Sequence, residues 1–139
     1  MNAEEKKTAA VKLLLACDKG DAKTAGDLIS DDFIYENMER SQSYSMNGQE
    51  VSNKLTREPW LKFGVPAVRE LTKDGMHFTV DLKISEGNYV AMFGESNAIA
   101  KNGKIYANCY CWFFEFSGDK ICQLREYRDT KLSRDVLFD

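Results

Sequence analysis

The last third of the chain, residues 88–129, constrains the fold most, because it is a run of strand-forming residues interrupted by two turn signals. The first signal is Asn102 with Gly103, and the second is Gly118 with Asp119. Gly and Asn tolerate the positive φ angles that hairpin turns require. The residues between the turns are rich in aromatic and β-branched types, which favour strands. We therefore predict three long antiparallel strands in this segment.

The residues that precede this segment predict helices first and strands afterwards. Apolar residues recur at helical spacing in residues 3–19 and 22–29, with Gly20 as a C-cap and Asp21 as an N-cap between the two helices. Residues 33–38 alternate as a strand, which places Phe33, Tyr35 and Asn37 on one face. A polar loop is expected over residues 39–47.

The middle of the chain predicts a third helix and two further strands. The helix would cover residues 48–57, with Asn47 as its cap, and would end before Pro59. Residues 60–66 either pack as a loop over the core or form a lid, with Trp60 or Phe63 touching a ligand. Residues 67–73 predict a strand. Residues 76–85 predict a half-buried strand, and residues 130–137 a final helical turn or a tail. In the strand over 76–85, alternation places one apolar set on the buried side: Met76, Phe78, Val80, Leu82 and Ile84.

This order of elements predicts one α+β domain over residues 1–139, in which helices pack on a curved antiparallel sheet. The concave side of such a sheet must be filled by side chains or by a ligand. A net charge of −3 without a basic stripe argues against nucleic acid as a partner. No apolar run is long enough to span a bilayer, and residues 1–8 lack the apolar part of a secretory signal, so no membrane partner and a cytoplasmic location are expected.

The cysteines and the lone histidine do not form a recognisable metal motif. Cys109 and Cys111 are spaced C-x-C without a second ligand pair, and Cys17 and Cys122 stand alone. We expect buried thiols rather than disulfides or metal ligands. His77 falls among polar residues of its strand, which predicts a surface or interface position. No phosphate-binding loop or catalytic triad signature is present, so no metal and no cofactor are expected.

Four short segments resemble the nuclear transport factor 2-like superfamily, and within it the SnoaL-like group of polyketide cyclases, ketosteroid isomerases and limonene-epoxide hydrolases. The segments are Gly20-Asp21, Asp31-Asp32-Phe33, Asn102-Gly103-Lys104 and the sequence LREYRD at residues 124–129. The resemblance implies a cone-shaped, cystatin-like α+β barrel, with a curved antiparallel sheet around N-terminal helices. It also implies a deep apolar pocket and a homodimer formed through the convex side of the sheet.

The resemblance to the ketosteroid isomerases does not extend to their catalytic groups. The position of their carboxylate base falls on Asn37, that of their oxyanion Asp at about Trp112, and that of their Tyr at about Leu13. An amide cannot abstract a proton, and neither Trp112 nor Leu13 offers an acidic donor. Steroid isomerisation by that mechanism is therefore not expected.

The epoxide hydrolases are more similar in the residues that would act. Tyr35 and Asn37 match their Tyr-x-Asn on the first strand, and Glu126 falls where their last-strand Asp stands. Glu95 falls near the position of their second Asp. The Arg that lies between those two carboxylates in the epoxide hydrolases has no counterpart here, because its position falls at about Phe93. Arg128 could take the place of that Arg only with a different geometry.

Alternation alone gives a similar set of candidate site residues. It places Leu124, Glu126 and Arg128 on one strand face, and a second set on a face of the preceding strand. The second set is Asn108, Tyr110, Trp112 and Phe114. A carboxylate in an apolar pocket can act as a general acid or base near neutral pH. We therefore predict Glu126 as the catalytic group, with Tyr35 and Asn37 orienting water or substrate. The predicted ligand contacts are Glu95, Asn108, Tyr110, Trp112, Arg128 and Trp60.

Each of these predictions has a structural alternative. Glu126 could instead form a salt bridge or face solvent, and Tyr110 and Trp112 could be plain core residues. Glu95 depends on the register around Gly94, where a bulge could shift the strand by one residue. The sequence thus predicts a pocket protein for a small, largely apolar molecule. Two functions are open for such a protein. The first is a cofactor-free hydrolase or isomerase, and the second is a non-catalytic module for ligand binding or dimerisation.

Overall fold

The computed structural model describes residues 1–40, 44–46 and 49–138. It begins with two helices, α1 (Ala3–Lys19) and α2 (Ala22–Leu28). Asn2 and Glu5 form a reciprocal capping box at the start of α1, and Gly20 ends it with a φ of 68°. Asp21 accepts a hydrogen bond from the Thr24 backbone amide and so caps α2. Both predicted caps between the helices are confirmed.

Within the described residues, the strands form one large sheet and two small ones. The strands of the large sheet are β1 (Ile29–Asn37), β4 (Lys54–Thr56), β5 (Thr79–Glu86), β6 (Tyr89–Glu95), β9 (Cys109–Ser117) and β10 (Lys120–Arg128). Their order is β4-β1-β10-β9-β6-β5. The small sheets pair β2 (Tyr44–Met46) with β3 (Gln49–Val51), and β7 (Ala98–Ile99) with β8 (Ile105–Tyr106). The α+β class is confirmed, and the turns at Gly103 and Gly118 have positive φ angles as predicted.

The large sheet is mixed, not antiparallel as predicted, and it is not closed. β1 runs parallel to β10, with Tyr35 opposite Leu124 and Asn37 opposite Glu126. No short turn joins these two strands, so nothing in the local sequence imposes an antiparallel direction. β4 and β5 are the two edges of the sheet, so the sheet curves without forming a complete barrel.

The middle of the chain departs most from the predictions. The helix expected over residues 48–57 is wrong, because Gln49–Val51 and Lys54–Thr56 are strands; its expected cap, Asn47, lies outside the described residues. A helical segment begins instead at α3 (Arg57–Pro59), continues as a π-helical turn (Trp60–Gly64), and ends as α4 (Val65–Leu71). Pro59 was expected to stop a helix, but it lies in a first turn, where its missing N–H is not required. The strand expected over residues 67–73 is therefore also wrong.

The strand expected over residues 76–85 begins at Thr79 and contains a bulge. The pairing of β5 with β6 shifts between Val80 and Leu82, because one extra residue is inserted in β5. An inserted residue moves the side chains that follow it to the other face. Leu82 and Ile84 are consequently 51% and 52% exposed, and their predicted burial is wrong.

Helix α5 (Thr130–Leu137) follows β10 and packs against β8, so the helical one of the two alternatives predicted for this segment is confirmed. Asp129 caps it by accepting a hydrogen bond from the Leu132 amide. Within the described ranges, no helix combines the length and the apolar character needed to cross a membrane.

His77 has an exposed side chain, as predicted, and two contacts that favour its charged form. Its Nδ1 lies 3.0 Å from the Asn97 carbonyl oxygen, and its Nε2 lies 3.3 Å from Asp74 Oδ2. The contact with the Asn97 carbonyl, together with Asp74, raises the pKa of His77 above its ordinary value of 6.5.

We expect proton NMR to find the His77 pKa higher in the folded protein than in the urea-unfolded chain. Protonation then favours folding, so this contribution to stability is fully present below the unfolded pKa and is lost as pH rises through the folded pKa. Asp74→Asn should bring the two pKa values closer, whereas Asp119→Asn, at a distant turn, should not. A folded pKa at or below the unfolded one would contradict this expectation.

Candidate ligand pocket

A cavity of about 130 Å³ lies between the helices and the concave face of the sheet. Leu14 and Cys17 line it from α1, Leu55 from the edge strand β4, and Met76 from the segment before β5. The C-terminal end of the described chain, at Phe138, also borders it. Burial raises the pKa of the Cys17 thiol, and the nearby charge of Glu126 adds to this effect, so Cys17 contributes to the wall as a neutral group.

Aromatic side chains form much of the cavity wall. The rings of Tyr110 and Trp112 stack at 4.8 Å with planes 8° apart, and Phe78 meets both rings edge-on at 5.4 Å. Trp60 stacks on Tyr35 at 6.1 Å. These contacts are the offset and edge-to-face arrangements that aromatic rings prefer. The protein's own side chains therefore fill much of the concave space.

A carboxylate is held at one end of this apolar cavity. The Tyr35 hydroxyl donates a hydrogen bond to Glu126 Oε2 at 2.6 Å, and Arg128 Nη1 lies 3.7 Å from the same oxygen. The side chains of Glu126 and Arg128 are only 18% and 9% exposed. Glu126 Oε1 has no hydrogen-bond partner among the described residues and is not fully buried, and Glu126 lines the cavity. The inward direction predicted for Glu126 by strand alternation is confirmed.

A buried hydrogen-bond network supports the ion pair of Glu126 and Arg128 on the side of α5. Arg128 Nε donates to Ser133 Oγ of α5 at 2.9 Å, and Ser133 Oγ lies 2.8 Å from the Tyr106 hydroxyl. The Tyr106 oxygen also accepts from Asn108 Nδ2 at 2.8 Å and lies 3.2 Å from the Tyr110 hydroxyl. Burial, with nearby Tyr106 and Glu126, raises the pKa of Tyr110, so its phenol stays protonated. The network fixes the Arg128 guanidinium and thereby the position of Glu126.

Six of the nine predicted site residues line the cavity together. They are Glu126, Tyr35, Tyr110, Trp112, Arg128 and Trp60. Trp60 is 3% exposed and contacts Phe33 and Tyr35, so it packs on the core as in the first predicted alternative, although its segment is helical and not a loop.

The other three predicted residues do not line the cavity. Asn37 is buried, but its Oδ1 accepts from the Glu39 amide at 3.0 Å and closes the end of β1. Asn108 lies behind the wall, where it bonds Tyr106 and the Asp129 backbone. Glu95 faces the exposed outer side, opposite Cys109, because the bulge lies in β5 and leaves the alternation of β6 intact.

Sequence reasoning missed several residues of this site. Ser133 lies in a segment that was predicted only as a helical turn, and no local pattern connects it with Arg128. Cys17 could have been found, because it lies on the apolar face of α1 at helical spacing. In the part of the chain that the structure describes, no cluster of three His, Cys, Asp or Glu side chains is arranged to hold a metal ion.

Comparisons with known proteins identify the fold but not the chemistry. No family model matches the chain, and no curated protein matches it. Solved structures that are similar along nearly the whole chain include the following three. A nuclear transport factor 2-like protein of unknown function from Burkholderia pseudomallei shares 14% identity over 100% of both chains, with a TM-score of 0.78. An LEH-like epoxide hydrolase from M. tuberculosis shares 18% identity over 98% of this chain and 91% of its own, with a TM-score of 0.71.

The third structure, TerC co-crystallised with polyporic acid, shares 13% identity over 97% of this chain and 99% of its own, with a TM-score of 0.76. At these identities the similarity establishes shared architecture, and a shared fold can carry different chemistries. Together with the curved sheet and the packed helices, these neighbours show that the chain has the nuclear transport factor 2-like fold.

Proposed function

We propose that this protein binds a small, largely apolar molecule in the cavity and acts on it by cofactor-free acid/base chemistry, as a hydrolase or an isomerase. The observation that carries the proposal is the Glu126 carboxylate, held by Tyr35 at 2.6 Å and Arg128 at 3.7 Å at the end of an apolar pocket. A positioned carboxylate in such surroundings is a common general acid or base.

The roles within this proposal follow from the contacts. Glu126 transfers the proton through Oε1, the oxygen that has no hydrogen-bond partner among the described residues. The Tyr35 hydroxyl occupies Oε2 and fixes the orientation of the carboxylate. Arg128 balances the negative charge, and Ser133 holds its guanidinium through Nε. Asn37 has no role in this proposal, because its amide is engaged outside the cavity.

Two structural neighbours support small-molecule binding by a protein of this fold. One of them is an LEH-like epoxide hydrolase, and another was crystallised with polyporic acid. Tyr35 and Glu126 are the residues that this chain has in common with the epoxide hydrolase pattern it resembles. Asn37 and Glu95, which fall at two further positions of that pattern, lie outside the cavity. The match is therefore incomplete and does not favour hydrolysis over isomerisation.

A second candidate function is non-catalytic binding of a small ligand. The size of the cavity favours it, because about 130 Å³ is well below the roughly 300–1,000 Å³ of pockets for drug-sized ligands. The stacked Tyr110 and Trp112 rings occupy space that a larger substrate would need. Binding without turnover, unchanged by substitution of Glu126, would favour this second function.

A thermal-shift screen tests the proposal with small epoxides, lactones and monocyclic aromatic compounds. A ligand of the folded protein raises its stability by about 2.7 kcal/mol at roughly 100 times its Kd, and so raises the Tm. Glu126→Gln should alter the shift, whereas Glu95→Gln, on the exposed outer side, should leave it unchanged. If no compound raises the Tm of the wild-type protein, the proposal of an open pocket for this class of molecule fails.

We also propose that the chain forms a homodimer through the outer face of the sheet. This face carries exposed apolar side chains on β5, β6 and β10, including Leu82 (51% exposed), Phe93 (39%) and Tyr127 (47%), and Cys111 of β9 lies between Phe93 and Tyr127. Contiguous apolar surface of this kind is characteristic of protein interfaces.

We expect light scattering at micromolar concentration to give twice the monomer mass. Phe93→Glu should weaken the dimer by at least about tenfold, because it buries an unpaired charge in the interface. Ile105→Glu is a matched control, since Ile105 is 68% exposed in the separate β7–β8 sheet. A monomer mass for the wild-type protein would contradict the proposal.

A cytoplasmic location remains part of the proposal. The four cysteines, at positions 17, 109, 111 and 122, are free thiols, which is typical of proteins in a reducing compartment. Localisation of a fluorescent fusion in the source organism would test it.

A further inference from the structure

The size of the cavity limits the ligand more sharply than the apolar wall does. This inference rests on the proposed function, because it concerns the molecule that the same pocket takes. The cavity measures about 130 Å³. A buried apolar cavity of roughly 150 Å³ is known to hold one benzene molecule. A single six-membered ring with a small substituent therefore matches the space.

The shape of the wall favours a planar ring. The Trp112 and Tyr110 rings are stacked, and Phe78 stands edge-on to both of them. All three side chains border the cavity. An aromatic ligand can extend this arrangement by stacking or by an edge contact, and aromatic pairs are favourable beyond the area they bury.

The polar end of the cavity selects for a hydrogen-bond donor. Glu126 Oε2 is occupied by the Tyr35 hydroxyl, whereas Oε1 has no protein partner among the described residues. A carboxylate oxygen accepts hydrogen bonds strongly when it is shielded from water. The carboxylate charge is balanced by Arg128 at 3.7 Å, so an additional charge on the ligand would be buried without compensation.

From these three features we propose that the pocket binds a neutral, single-ring aromatic molecule that bears one O–H or N–H donor, of which phenol is the simplest example. The donor bonds Glu126 Oε1, and the ring lies against the Trp112 side of the wall. The specificity then comes from one oxygen atom at the closed end of an otherwise apolar site.

The test compares four ligands by titration, with ¹⁵N–¹H NMR shifts giving Kd for each. Phenol and toluene have the same size, but only phenol has a donor; anisole has only an acceptor, and benzoate carries a negative charge. Phenol is expected to bind about tenfold more tightly than toluene, because a buried hydrogen bond to a charged group favours binding by at least that factor. Since toluene is the more apolar molecule, hydrophobic burial alone predicts the opposite order.

Substitution of Glu126 separates this inference from the proposed function. In Glu126→Gln the preference for phenol over toluene should fall severalfold, because a neutral amide oxygen is a weaker acceptor, whereas Glu95→Gln should keep the full preference. If toluene or anisole binds as tightly as phenol, the donor specificity is wrong while the pocket stands. If none of the four ligands binds, the inference is overturned, and the thermal-shift screen with epoxides and lactones then decides separately whether the proposed pocket function stands.

Discussion

Glu126→Gln is expected to lower kcat/KM for a turned-over substrate by about 10²–10⁴-fold, the usual contribution of a general acid or base. The amide has nearly the shape of the carboxylate, but it can neither take up nor release a proton near neutral pH. The substitution keeps an oxygen that can accept from Tyr35, whose hydroxyl lies 2.6 Å from Glu126 Oε2. The loss should therefore appear mainly in kcat. Steady-state kinetics, with circular dichroism to confirm the fold, measures it.

Two further variants locate the effect at the carboxylate. Tyr35→Phe removes the hydrogen bond that orients Glu126 and should cost a smaller factor, with a change in the pH–rate profile. Glu95→Gln makes the same chemical change on the exposed side of the sheet and should leave the rate unaltered. A Glu126→Gln enzyme with near wild-type kcat would show that Glu126 is structural, and the acid/base proposal would then be abandoned.

Gly94→Ala is expected to destabilise the fold by about 3 kcal/mol or more, at the upper end of the cost of overpacking. Gly94 faces the inner side of β6, where an added Cβ would overlap the Thr79 carbonyl oxygen and lie 2.9 Å from Trp112 Cζ3. The first contact is with backbone, and the second is with a ring that is 1% exposed. Neither can yield without moving β5 or the cavity wall. Urea denaturation should show a lower midpoint.

The control for this prediction is another glycine changed in the same way. Gly26 lies within α2, and its added Cβ would meet Arg57 Nη2 at 3.4 Å and Leu61 Cδ1 at 3.5 Å, ordinary van der Waals distances. Alanine is favoured over glycine inside a helix by about 0.8–1.0 kcal/mol, so Gly26→Ala should be neutral or stabilising. An unchanged urea midpoint for Gly94→Ala would mean that β5 can separate from β6 at the bulge.

Strand alternation predicted the side-chain directions correctly in the regular parts of two strands. In β9 and β10 the period of two places Tyr110, Trp112, Glu126 and Arg128 on the concave face, and the structure agrees. The same rule failed in β5, because the extra residue between Val80 and Leu82 has no signature in the local sequence. The bulge lies next to the pairing of Val80 with Gly94, where a residue without a side chain lets the backbone of β5 approach closely.

The helix from Arg57 to Leu71 was missed for a related reason. Pro59 was interpreted as a helix terminator, although proline in the first turn of a helix is well tolerated. Hydrogen bonds from Arg57 to the Ile29 and Gly26 carbonyls help to hold the start of this helix in place, with Pro59 in its first turn. These bonds are tertiary contacts. The parallel pairing of β1 with β10 and the support of Arg128 by Ser133 are likewise long-range or inter-element contacts. Local sequence patterns do not encode such contacts.

The parallel pairing of β1 with β10 has a consequence for the order in which the protein acquires its site. Tyr35 and Glu126 are 91 positions apart in the chain, yet they share one hydrogen bond. During synthesis the ribosome releases β1 long before its partner strand exists, so β1 waits with one edge unpaired. Contacts between such distant segments form late in folding. The pocket therefore becomes complete only when the last strand is inserted, because Glu126 and Arg128 belong to that strand.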